Sequence, residues 1–163
     1  MQSSKDLNIF LVDDDPMFLK ILEQDIRHFF ADVKIKTFLT AEDCLKGIDE
    51  HPDAVILDYF LPGMNGFSAF LKIKEKDPDM PVVILSGIGN VKVMQQLFSA
   101  GVYDYVIKGS DYIQELRFSI SEIIRRKNKK SVLFILDSDM GAVLIIGIIM
   151  FILIALTLAF LNL

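Results

Sequence analysis

Five short apolar runs alternate with five amphipathic stretches, and that alternation limits the fold more than any other feature of the chain. The runs cover residues 7–12, 33–38, 54–57, 82–85 and 103–107. Short apolar runs bounded by turn residues read as buried strands. Between them, apolar residues recur at helical spacing. Leu19, Leu22, Ile26 and Phe29 would share one face of a first helix, and Cys44, Leu45 and Ile48 one face of a second. Phe67, Phe70 and Leu71 mark a third, Met94, Leu97 and Phe98 a fourth, and Ile113, Leu116, Ile120 and Ile123 a fifth. The punctuation agrees. Asp15 and Pro16 open the first helix, Thr40 caps the second, Pro52 and Pro78 follow the second and third, and Gly101 closes the fourth. Strand and helix in strict alternation imply an α/β fold, a doubly wound five-stranded parallel sheet with helices on both faces.

The third run, AVIL, ends in a lone carboxylate, Asp58, followed by a turn built on Pro62, Gly63, Asn65 and Gly66. In open α/β sheets, ligands bind beyond the carboxyl ends of the strands. A carboxylate there can bind a cation, act as a base or become a covalent acceptor, and it can also do no more than cap the turn. Other strand ends carry reactive groups too: Asp13 and Asp14 after the first, Ser86 after the fourth and Lys108 after the fifth. Carboxylates gathered at low dielectric repel one another, and a divalent cation removes that cost. Oxygen ligands without His or Cys favour Mg²⁺ over zinc. A cation beside Asp58 would draw in a phosphoryl group whose remaining oxygens Lys108 and Ser86 could hold. The pattern points to phosphoryl transfer onto Asp58.

The same residues carry a resemblance. LVDDDP, LDYFLPGMNG, VVILSG and YDYVIKG occur in order on the expected elements, and between residue 7 and about residue 126 the chain resembles a response-regulator receiver domain of two-component signalling. The resemblance implies a flavodoxin-like sheet of order 2-1-3-4-5. It implies that Asp13, Asp14, Asp58 and the backbone carbonyl of Phe60 bind Mg²⁺, and that Asp58 accepts a phosphoryl group from a histidine kinase or phosphotransfer protein. Ser86 and Tyr105 would be the switch residues, and Lys108 would pair with the phosphoryl group. Apart from the resemblance, Tyr105 reads better as simple packing on a strand, and Asp15 reads as a helix cap. Gly109 stands where the family usually has Pro, and Gly87 where Ala is common.

Composition narrows the partners. Net charge is −5, yet five of the 17 Lys and Arg lie within residues 125–130, which leaves an acidic body with no face suited to nucleic acid. The single cysteine, Cys44, excludes an internal disulfide and reads as a small buried hydrophobe. His28 and His51 read as surface residues. Residues 1–6 are polar and have no apolar core of a secretory signal. Residues 140–163 contain no charged side chain and are long enough for a membrane helix. Lys and Arg cluster before that segment and none follow, which places the body in the cytoplasm and the basic cluster beside anionic lipid headgroups.

The expected organisation is a receiver domain over residues 1–127, a basic interfacial linker over 128–139 and a transmembrane helix over 140–163. Ala155 and Ala159, four apart, admit close approach of two such helices and so a homodimer. With no output domain in sight, the expectation is a membrane-anchored phosphoacceptor acting on a downstream protein, not an enzyme with its own substrate. Its alternative is an adaptor that docks partners at the membrane without phosphorylation. A phosphatase using Asp58 is disfavoured, because Phe60 occupies the place of a second acid/base carboxylate.

Overall fold

A computed structural model describes residues 7–137 and 139–161; for residues 131, 134–137, 139–142 and 158–161 the backbone alone is described. Five strands form one parallel sheet in the order β2-β1-β3-β4-β5. They are β1 (Asn8–Val12), β2 (Lys34–Phe38), β3 (Ala54–Asp58), β4 (Val82–Ser86) and β5 (Asp104–Ile107). The helices are α1 (Pro16–Phe29), α2 (Ala41–Gly47, extended by a 3₁₀ turn), α3 (Gly66–Lys76), α4 (Val91–Ser99), α5 (Tyr112–Asp137) and α6 (Asp139–Leu161). The expected class and strand order are therefore observed.

The two-residue period of the strands splits the core into two layers. Phe10, Val12, Val55, Leu57, Val82 and Ile84 point to the layer covered by α2, α3 and α4. Ile9, Leu11, Ile56, Val83, Leu85 and Val106 point to the layer covered by α1 and α5. The central strands β3 and β4 are buried along their whole length, as expected for a parallel sheet covered on both faces. The edge strand β2 instead exposes Lys34, Lys36 and Thr37.

Capping follows the sequence signals. Asp15 accepts from the Met17 and Phe18 amides and Thr40 from Asp43, while Asn65, expected only as a turn residue, also caps α3 by accepting from Ser68. Gly101 ends α4 with φ +87°, a conformation that costs glycine little. Two apolar residues depart from the expected inward faces. Leu71 is 40% exposed and Phe98 48% exposed. Each directly follows a fully buried residue, Phe70 or Leu97, and one helical step turns a side chain about 100° away from the core. On α3 the inward positions belong to Ala69, Phe70 and Ile73.

The chain divides into two compact units, Met1–Ile124 and Arg125–Leu163. In the second, the side chains described between residues 143 and 157 are exposed and almost all apolar. Among the described residues no helix is long and apolar enough to cross a membrane. The expected span extends beyond those side chains at both ends, and the side chain of Ala159, half of the expected close-approach pair, lies outside them, as do residues 1–6.

Candidate functional site at the carboxyl edge of the sheet

The register brings the reactive strand ends together. Val12 pairs with Leu57, Asp58 with Leu85, and Ser86 with Ile107, so Asp13, Asp58, Ser86 and Lys108 leave the sheet at adjacent positions. Asp13 and Asp58 are only 3% and 5% exposed, and Ser86 is fully buried. Lys108 bridges the two carboxylates. Its Nζ lies 2.6 Å from Asp13 Oδ2 and 2.7 Å from Asp58 Oδ1. The other oxygens are held by backbone amides: Asp15 donates to Asp13 Oδ1 at 2.9 Å, and Phe60 to Asp58 Oδ2 at 2.7 Å.

Two opposing forces set the charges here. Burial pushes the Asp13 carboxyl above the usual range, and its bonds to Lys108 and to the Asp15 amide offset only part of that. Burial also works against the Lys108 ammonium, but hydrogen bonds and charge from Asp13 and Asp58 outweigh it and hold its pKa above the ordinary value. One cation between two anions gains from both, whereas each anion shares it. Lys108 thus stays charged and neutralises much of the pocket. No cis peptide occurs among the described residues, and with Gly109 following it Lys108 still reaches both carboxylates. Its amide donates to the Ser86 carbonyl at 2.7 Å, which ties the end of β5 to the end of β4.

Of the expected metal donors, Asp13 and Asp58 converge and Asp14 stays exposed. Among the described residues no group of three or more His, Cys, Asp or Glu side chains is arranged to hold a metal ion. The donor chemistry nevertheless suits a hard divalent cation, because two buried carboxylates already share a single positive charge.

The two switch candidates meet at one peptide. Ser86 Oγ accepts from the Ile88 amide at 3.3 Å and donates to the Ile88 carbonyl at 3.4 Å. The Tyr105 hydroxyl donates to that same carbonyl, with the ring turned inward and 7% exposed. Tyr105 is thus packed against the core as well as bonded to the loop after β4.

Two contributors were not legible as such in the sequence. A Cβ at Gly66 would lie 2.4 Å from the Asp58 carbonyl oxygen and 2.7 Å from Tyr59 Cα, so only glycine permits this return of the chain beneath Asp58. The glycine itself signals a turn, but nothing local signals the close approach. The second is Phe18, whose ring centroid lies 4.4 Å from Lys108 Nζ. This contact joins residues 90 positions apart, which no spacing rule reveals.

Comparison with known proteins gives a consistent result. The family model for the response regulator receiver domain matches residues 9–121, more than half of the chain. The C4-dicarboxylate transport transcriptional regulatory protein DctD of Rhizobium meliloti (strain 1021) is 32% identical over 102 residues, which are 62% of this chain and 22% of that protein. The two-component response regulator ORR22 of Oryza sativa subsp. indica is 34% identical over 122 residues, 74% of this chain and 17% of its own length. The chain thus spans about a fifth of the length of these curated relatives. Among solved structures, the BeF3 activated DrrB receiver domain superposes with a TM-score of 0.65 at 30% identity, covering 73% of this chain and 97% of that one. The signal receiver domain of a LuxO repressor protein from Vibrio parahaemolyticus gives a TM-score of 0.70 at 23% identity, covering 78% and 96%, a likeness of fold.

Proposed function

This chain belongs to the response regulator receiver domain family, and on that premise we propose that it accepts a phosphoryl group on Asp58 and thereby switches a protein-docking surface. The observation that carries the reading is the Lys108 ammonium held against both Asp13 and Asp58. A lone lysine between two buried carboxylates is poised to exchange one of them for a phosphoryl oxygen.

In the transfer, one Asp58 carboxylate oxygen attacks phosphorus in a phosphohistidine of a kinase or phosphotransfer protein. The new O–P bond forms as the N–P bond breaks, and the imidazole leaves with the electron pair. Lys108 follows the charge onto a phosphoryl oxygen, and the Ser86 hydroxyl turns from Ile88 to donate to another. The Phe60 amide stays on the carboxylate and orients it. Asp13, Asp14, Asp58 and the Phe60 carbonyl would hold Mg²⁺, which when bound neutralises the anionic oxygens brought together. Once Ser86 lets go of Ile88, Tyr105 alone holds that carbonyl, and the loop between β4 and α4 is free to reset. The phosphoryl group is later lost to water, with Asp58 regenerated.

The reading extends to location. Residues 140–163 would cross a membrane as a single helix, with the receiver in the cytoplasm and the basic residues 125–130 beside anionic headgroups. What supports this is the uncharged sequence of residues 140–163, long enough to cross a bilayer as a helix. The exposed apolar side chains described between residues 143 and 157 are unfavourable in water.

Acetyl phosphate with Mg²⁺ tests the chemistry. The intact chain should gain the mass of one phosphoryl group, and Asp58→Ala should abolish the gain. Labelling that persists in Asp58→Ala overturns the site. A chain that takes up neither phosphoryl nor beryllofluoride is instead the unphosphorylated adaptor. Vesicle flotation that resists alkaline carbonate tests the anchor, and release into the soluble fraction refutes it.

A further inference from the structure

A lysine side chain is a four-rotor stem with a freely turning ammonium, so its placement needs an external constraint. The residue after Lys108 supplies little. Gly109 has no side chain, and a Cβ there would meet nothing closer than the Ile107 carbonyl at 3.9 Å. The carboxylates hold the ammonium through two contacts, one to Asp13 Oδ2 and one to Asp58 Oδ1.

A second constraint comes from α1. The Phe18 ring centroid lies 4.4 Å from Lys108 Nζ, within the range of a cation–π contact. Phe18 is itself held. Its ring packs on Tyr112 at a centroid distance of 5.9 Å and a tilt of 44°. The Tyr112 hydroxyl then donates to Asp25 Oδ2 at 2.8 Å. Asp25 lies seven residues after Phe18 on α1, and so on the same face, two turns further along. The contacts form a closed circuit from α1 to α5 and back. Burial, with help from Asp25, pushes the Tyr112 phenol up to about 12, which agrees with a lasting hydroxyl–carboxylate bond.

We propose that Phe18, braced by Tyr112 and Asp25, is a positioning residue that keeps the Lys108 ammonium between Asp13 and Asp58. The ring adds a third contact to the ammonium beside its two ion pairs. It does so without a hydrogen bond, so the lysine remains free to change acceptor when a phosphoryl group arrives. The aromatic circuit does from the helix side what the backbone at Gly109 leaves undone.

The experiment uses the full chain in lipid nanodiscs and two readouts. The first is the rate of phosphoryl uptake from acetyl phosphate with Mg²⁺, which rests on the function proposed above. The second is ¹³C relaxation of the Lys108 ε-methylene without donor, which does not. Phe18→Leu should slow uptake about 3- to 10-fold, the size of one partly buried cation–π contact, and should make the ε-methylene mobile. Phe18→Tyr should restore both. Tyr112→Phe keeps the ring and loses the bond to Asp25, so it should loosen Lys108 to a smaller degree; it also serves if Phe18→Leu does not fold. An ε-methylene as rigid in Phe18→Leu as in the parent overturns the proposal, and so does one left unchanged by Tyr112→Phe in a folded protein. If the parent takes up no phosphoryl group, the function fails while the relaxation data still decide the positioning.

Discussion

Replacing Lys108 with Met removes the charge and keeps an apolar stem of similar length. It leaves two carboxylates, 3% and 5% exposed, facing each other with no counter-charge. Removing one partner of a buried ion pair costs about 3–5 kcal/mol. Here the lysine side chain is 24% exposed and recovers its own desolvation, while two anions rather than one lose their partner. The balance favours the low end, about 3 kcal/mol at pH 7. Urea unfolding followed by tyrosine emission measures it cleanly. The chain has no Trp, and its four tyrosines, Tyr59, Tyr103, Tyr105 and Tyr112, all lie in the unit that carries the sheet. At roughly 1.5 kcal/mol per molar urea, the midpoint should fall by about 2 M. The sign of the pH dependence is fixed by Asp13. Its carboxyl is raised by burial although Lys108 works to lower it, so removing Lys108 raises it further. A raised acid favours folding when protonated and disfavours it when ionised. The stability gap between parent and variant should therefore be full at pH 7 and close as pH falls through the raised Asp13 range toward the ordinary 3.8. An unchanged midpoint at pH 7, or a gap as wide at pH 4 as at pH 7, would refute the bridging role of Lys108.

Further expectations concern the same edge of the sheet. Millimolar Mg²⁺ should raise the urea midpoint of Lys108→Met more than that of the parent, because a divalent ion is then the principal counter-charge available; an equal response argues against a shared cation position. Gly66→Ala should cost about 2–3 kcal/mol, since a Cβ 2.4 Å from a backbone oxygen forces the chain apart, and a near-neutral effect by urea titration would show that the loop yields easily. Asp15→Ala should cost about 1 kcal/mol through loss of the α1 cap while the rate of phosphoryl uptake stays close to that of the parent. A large fall in that rate would make Asp15 part of the site.

What could be read from the sequence was whatever depends on short-range periodicity. Strand ends at Asp13, Asp58, Ser86 and Lys108 follow from where apolar runs stop, and a parallel sheet then carries them to one edge. The caps at Asp15 and Thr40 follow from local hydrogen bonding. The misjudged residues are those next to a core position, Leu71 and Phe98, where composition says apolar and the helical step says outward. The unread ones depend on tertiary distance. Neither the approach of Gly66 to the Asp58 carbonyl nor the Phe18 ring beside Lys108 has a local signature. The bridging of Asp13 by Lys108 is hidden for the same reason, since the sequence pattern pairs each with another partner, the metal or the phosphoryl group.

One border of the sheet has a consequence for how copies of this protein coexist. β2 has β1 on one side only, leaving a row of amides and carbonyls that another chain's strand could join. Its sequence, KIKTF, places Lys34 and Lys36 on that open border. Lys36 is anchored by Glu50 and rests over the Phe10 and Phe38 rings, so the positive charge is fixed in place rather than left to swing aside. When two such borders meet, the charge of Lys34 on each opposes their zipping into an extended sheet.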